Sequence, residues 1–263
     1  MGYIHINVIF RLLGDSYRIG LGCRRRRRGD RVRGGPPAPR RGRVSVTVQA
    51  VVFDLDGVII DTEEVWEEVR RGYVAEHGRE FLPDTQTRMM GMSTGEWSTH
   101  LSAEVGVPRS PEQVAADVLA RMAERYRADL PLIPGSVAAV RRIAERFPVA
   151  LASSSARILI DQVLATAGLT GTFRVTLSTE EVPRGKPAPD VYLAAVERLG
   201  LNPDFCAAVE DSSNGLRSAA AAGLAVIAVP HGVYPPAADA LALASLVVDS
   251  LDELTVEAVE KLR

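Results

Sequence analysis

Cysteine, lysine and long apolar runs are what this chain has least of. Of its 263 residues only Cys23 and Cys206 are cysteines. Two thiols cannot build a disulfide framework, and neither has a second Cys or a His at metal-ligand spacing. A reducing cytoplasm is therefore the expected compartment. The richest apolar stretch, residues 219–229, falls far short of the roughly 20 residues that cross a bilayer, which excludes a membrane-spanning helix there. Lysine occurs twice, at Lys186 and at Lys261, two residues from the end, against 29 arginines. A chain that otherwise chooses arginine needs a chemical reason for Lys186. His77, His100 and His231 have no second His or Cys beside them and read as surface or packing residues. What is present in quantity is ordinary: 46% hydrophobic and 24% charged residues, enough to bury a sizeable core.

The formal charge of -2 hides two unlike pieces. Residues 1–44 hold twelve arginines against Asp15 and Asp30, a local charge of +10, and the remainder carries -12. A basic arm can bind nucleic acid or an anionic surface. This one has no aromatic interleaving, no amphipathic period, and a Gly-Gly-Pro-Pro-Ala-Pro stretch. It reads as a disordered extension, 1–44, without a nucleic-acid role, or as upstream sequence translated from a misplaced start.

From Gln49 onward, strands alternate with helices. Ala50–Asp54 is a short, branched, apolar run ending at Asp-Leu-Asp-Gly, as expected of a buried strand that opens into a loop. Similar runs recur at Val149–Ala152, Arg174–Leu177, Cys206–Val209, Ala225–Val229 and Leu246–Val248. Helical stretches separate them, at Ser136–Phe147, Arg157–Gly168, Asp190–Leu199, Gly215–Gly223 and Leu251–Leu262. This order predicts an α/β fold, a doubly wound parallel sheet covered on both faces. Strands vanish between Glu63 and about Leu130, where helical periodicity takes over and Ser110-Pro111-Glu112-Gln113 makes a capped helix start. The expected organisation is a core of 45–62 and 131–263 with a helical cap, 63–130, inserted after the first strand.

In an open parallel sheet, reactive groups belong at the carboxyl ends of the strands. The first strand delivers Asp54 and Asp56 there, the second Ser153, Ser154 and Ser155, and the fourth Glu210 and Asp211, while Lys186 follows the third. Carboxylates gathered this way repel one another unless a cation joins them, and hard oxygen ligands suit Mg2+.

The strings VVFDLDGVIID, LASSS, GKPAPD and VEDSSNGLRSAAAAG resemble, in order, the four signature segments of the haloacid dehalogenase superfamily. The resemblance runs from Gln49 to the C-terminus, and the helical insert is similar to that of the subfamily containing beta-phosphoglucomutase and phosphoglycolate phosphatase. It implies a Rossmann-like core and a phosphatase that works through an aspartyl-phosphate. Asp54 would be the nucleophile and Asp56 the acid and base. Ser153, Ser154 and Lys186 would bind phosphate. Asp54, the backbone carbonyl of Asp56, Asp211 and Glu210 would surround Mg2+.

Differences within the family narrow the expectation. A phosphonate-cleaving member needs a cap lysine, and no lysine lies between Asp54 and Lys186. A dehalogenase needs neither Asp56 nor the acids at Glu210 and Asp211. Where a phosphosugar mutase has a cap His and Arg, this chain has Trp66 and Thr94. Asp61-Thr62-Glu63-Glu64-Val65-Trp66 instead resembles the D-S-E-P-L-W stretch of sugar-phosphate phosphatases. Thr62, Trp66, Arg88 and Glu96 are the specificity candidates, and the methionines Met89, Met90 and Met92 read as core or hinge packing. The expected partner is a small phosphate ester, with neither membrane nor nucleic acid, and the chain is expected to be a monomer or weak dimer.

Overall fold

The computed structural model describes residues 47–89, 92–230 and 235–262. The basic extension and His231 lie outside the described residues, as do Met90 and Gly91.

Six strands form one all-parallel sheet in the order β3-β2-β1-β4-β5-β6. They are β1 (Ala50–Phe53), β2 (Val149–Ser153), β3 (Val175–Ser178), β4 (Cys206–Glu210), β5 (Ala225–Ala228) and β6 (Leu246–Val247). All six lie within a residue or two of the runs read from the sequence. β1 is central, with Val51 level with Val149 on one side and Ala207 on the other. The chain order reverses direction at β1, the position in such sheets where a crevice opens at the strand ends.

Residue alternation along the strands builds two apolar layers. Val51, Phe53, Leu151, Val209 and Ile227 face one side, packed by α5 (Ser136–Ala144), α6 (Arg157–Thr166) and α10 (Val256–Glu260). Ala50, Val52, Ala152, Ala208 and Val226 face the other. That side is covered by α7 (Asp190–Leu199), α8 (Ser213–Ala221) and α9 (Ala238–Leu241). The last helix starts later than its apolar periodicity suggests, because Thr255 caps it by accepting the Ala258 N–H.

The insertion after β1 is helical: α1 (Glu63–Glu76), α2 (Thr85–Met89), α3 (Thr94–Thr99) continuing as a π-turn (His100–Glu104), and α4 (Pro111–Ala128). Ser110 and Gln113 close a reciprocal capping box at the start of α4, as their spacing requires. Val69, Tyr73, Trp97, Leu101, Val118 and Met122 extend the first apolar layer into this insertion. No helix among the described residues is long and apolar enough to cross a membrane.

Candidate active site

The loop after β1 sets the site. Asp54 leaves the strand with its N–H on the Val209 carbonyl, 3.0 Å away. Leu55 accepts the Ile59 N–H at 2.8 Å and Gly57 donates to the Ile60 carbonyl at 2.7 Å, so the chain curls back on itself. The curl needs Gly57 at φ +76, a conformation that side chains resist. It turns Asp56 toward β2. There Asp56 Oδ1 accepts from Thr62 Oγ1 at 2.8 Å, and Oδ2 accepts from Ser155 Oγ at 2.7 Å and, at 3.4 Å, from Ser153 Oγ.

Lys186 reaches in from beyond β3 with its side chain only 4% exposed. Its Nζ donates to Asp54 Oδ1 at 2.8 Å and to Glu210 Oε1 at 2.7 Å. Glu210, at the end of β4, is fully buried. Its Oε1 also takes the Tyr192 hydroxyl at 2.7 Å, and its Oε2 accepts the Asp211 and Ser212 N–H groups. Both oxygens of Glu210 therefore have protein donors. Asp211 differs: its buried Oδ1 has no hydrogen-bond partner.

The electrostatics follow from counting charges. Three carboxylates, Asp54, Glu210 and Asp211, can bring ligand oxygens within 4.8 Å of one another, and among the described residues Lys186 is the one cation bonded among them. Fully ionised, the group carries -2. Burial disfavours the Lys186 ammonium, but Asp54 and Glu210 outweigh it and hold the group charged. The unbalanced repulsion falls on the acids. Burial and then Glu210 push Asp54 up to about 8, and burial, Glu210 and Asp54 raise Asp211 well above the carboxylate range. An orphaned buried oxygen in a cluster two charges short of neutrality fits a divalent cation with hard oxygen ligands.

A cavity of about 380 Å3 opens over these groups, lined by Asp54, Asp56, Ser154, Lys186 and Asp211 below and by insertion residues above. Of the specificity candidates, Thr62 and Trp66 line it. Arg88 and Glu96 are not among its lining residues, which corrects their placement. Arg88 pairs with Asp84 on the exposed side of α2 at 2.8 Å. Glu96 turns back to accept the Ser93 N–H at 2.7 Å, closing the capping box of α3. Met89 and Met92 reach the cavity wall as well as packing against the apolar core, so their role is not packing alone. His77 bonds the Tyr73 carbonyl and His100 lies against Glu104, as packing residues do.

Sequence reasoning missed Arg70, which lines the cavity together with Trp97 and Ser155. Arg70 gave one usable signal: it occupies the apolar face of α1, four residues after Trp66 and three before Tyr73. A larger cleft, about 660 Å3, lies near Glu76 and Arg121. Those two charges already pair with each other at 2.7 Å, and no strand-end acid reaches it.

Residues 48–223 match the haloacid dehalogenase-like hydrolase family. The chain belongs to it. It is 33% identical over 218 residues to hexitol phosphatase B of Escherichia coli K12, covering 80% of this chain and 96% of that protein. It is 30% identical to the phosphorylated carbohydrates phosphatase of Thermotoga maritima, over 67% of this chain and 82% of that one. A HAD family hydrolase from Deinococcus radiodurans R1, solved with bound phosphate and sodium, superposes with a TM-score of 0.60 at 29% identity. That match covers 82% of this chain and 96% of the other. This family member is a phosphoric monoester hydrolase, a phosphatase, with the strand-end acids and Lys186 at the crevice of its sheet.

Proposed function

We propose that this phosphatase is Mg2+-dependent and acts on a small phosphorylated metabolite, a sugar phosphate or a phosphoglycolate-like ester, through an aspartyl-phosphate on Asp54. The observation that carries this reading is Lys186 clamped between Asp54 and Glu210 beside the unpartnered oxygen of Asp211. The working boundaries are a cap of 63–130 over a core of 45–62 and 131–263, and the cytoplasm is the proposed compartment.

Asp54 attacks phosphorus as the ester P–O bond breaks, and a carboxylate oxygen becomes bonded to phosphorus as an acyl phosphate. Asp56 gives its proton to the departing alkoxide. Its position supports that task, because Thr62 and Ser155 fix one carboxylate oxygen each. Asp56, now ionised, takes a proton from water as the hydroxide attacks phosphorus. Inorganic phosphate leaves, and the Asp54 carboxylate and Asp56 proton are restored. Lys186 holds a non-bridging oxygen, joined by Ser154 from the cavity wall. The Ser153 oxygen accepts the Ser155 N–H at 2.9 Å, and its O–H, which donates to Asp56 at 3.4 Å, would turn from that long bond to the phosphoryl group. Asp54, Asp211 and the Asp56 carbonyl would hold Mg2+, with Glu210 completing the acidic set. The ion would offset the repulsion between carboxylate and phosphoryl group. Glu210 also orients Lys186.

Phosphosugar mutase activity is not favoured, since Trp66 and Thr94 stand where such an enzyme has His and Arg. Phosphate release from a panel of phosphorylated sugars, sugar alcohols and phosphoglycolate, with Mg2+ and with EDTA, tests the reading. Release that EDTA abolishes is the expected result; no release from any ester overturns it.

A further inference from the structure

Arg70 is an unusual charge among the described residues. It is only 5% exposed, yet it forms no ion pair among the described residues, and its buried Nε has no hydrogen-bond partner there. A buried guanidinium in that state is costly unless something else completes its bonding. Its carbon Cζ lies 4.4 Å from the Trp66 ring centroid and 5.0 Å from that of Trp97, in the angle between two rings 5.8 Å apart. The indoles stabilise the cation through its flat face and leave its donor edge for in-plane bonds. One such bond is made, from Nη1 to Gln86 Oε1 at 3.2 Å. Burial draws the group down to about 10, so it remains charged at neutral pH.

The second member of the arrangement is Glu63. Gln86 bridges the two, donating from Nε2 to Glu63 Oε2 at 3.3 Å, and both Glu63 and Arg70 line the cavity above the strand-end acids. A leaving group bearing a carboxylate or a second phosphate would meet attraction from Arg70 and repulsion from Glu63. A hydroxyl accepts from one and donates to the other, so it satisfies both. Indole faces also suit the C–H surfaces of a polyol. From this geometry we infer that Arg70 is a specificity-determining residue: with Glu63 it reads the hydroxyls of an uncharged polyol leaving group and disfavours anionic ones. The inference rests on the phosphatase reading above and chooses between its two substrate types.

The test compares kcat/KM for a hexitol monophosphate, phosphoglycolate and p-nitrophenyl phosphate in the wild type, Arg70→Met and Glu63→Gln. Arg70→Met is expected to lower the ratio of hexitol phosphate to p-nitrophenyl phosphate about 10- to 100-fold, the usual worth of a charged hydrogen bond. Glu63→Gln removes the repulsion and is expected to raise phosphoglycolate over hexitol phosphate about tenfold. Ratios that stay within about threefold of wild type in both folded variants overturn the inference, as does a wild-type preference for phosphoglycolate. Should Arg70→Met fail to fold, the isosteric Glu63→Gln decides alone. Absence of phosphate release even from p-nitrophenyl phosphate sinks the phosphatase reading itself, a distinct outcome.

Discussion

A β-carbon placed on Gly57 would stand 1.9 Å from Oδ2 of Asp211. The tight loop that presents Asp56 and the acid arriving from β4 thus occupy adjoining space, and only a residue without a side chain lets them meet. Gly215 does the same for Glu210, whose Oε1 lies 1.8 Å from its hypothetical Cβ.

Gly57→Ala is accordingly expected to displace Asp211 and strain the loop, costing about 1–2 kcal/mol for the left-handed backbone alone. Mg2+ affinity should fall about tenfold or more, the range seen when support around a metal ligand is disturbed. Titration calorimetry with Mg2+ measures it. Wild-type affinity in the variant would show that the Asp211 carboxylate takes no part in holding the ion.

Asp54→Asn and Asp56→Asn should fail differently. Without the Asp54 carboxylate no phosphorylated protein can form. Asp56→Asn keeps the nucleophile but loses a proton transfer worth about a hundred- to ten-thousand-fold. With an aryl phosphate, whose leaving group needs no proton, rapid quench should catch a burst of about one product per site in Asp56→Asn, then slow turnover. A burst in Asp54→Asn instead would reverse the assignment.

The raised Asp54 carboxyl makes the Mg2+ effect depend on pH. Its ordinary value is 3.8, and in the folded protein it lies near 8. Between those values the folded state keeps a proton that the unfolded chain sheds, so its contribution to metal-free stability is full below about pH 4 and lost as pH rises through about 8. Bound Mg2+ displaces that proton. The rise in melting temperature on adding Mg2+ should therefore be larger at pH 8 than at pH 5.5, and scanning fluorimetry with equal shifts at both would count against it.

Tyr192→Phe deletes a 2.7 Å hydroxyl donor from the fully buried Glu210. Loss of a bond to a charged acceptor costs about 1.5–3 kcal/mol, read by urea unfolding. An unchanged midpoint would mean that Lys186 and the backbone N–H groups suffice for Glu210.

The strands and the strand-end chemistry were legible because both are local. Four apolar residues and a following Asp-x-Asp-Gly announce β1 and Asp54 together, and one of only two lysines in an arginine-rich chain draws attention to Lys186. Arg70 was hidden by that same composition. Its meaning depends on Trp66 and Trp97, 31 positions apart in the sequence, coming within 5.8 Å, which no spacing rule contains. Arg88 and Glu96 misled for the opposite reason. Both are polar residues of short helices whose partners, Asp84 and Ser93, lie within four positions, so local bonds satisfy them and leave nothing to aim at the cavity.

The register of β1 between β2 and β4 carries one more implication. Asp54, Ser153 and Glu210 belong to stretches separated by some hundred and by fifty-seven residues, and they become neighbours only when both sides of β1 have been zipped to their partners. No short stretch of the chain holds the reactive set. Turnover during refolding should then appear last, after helical signal has been regained, making phosphate release a reporter of completed strand assembly.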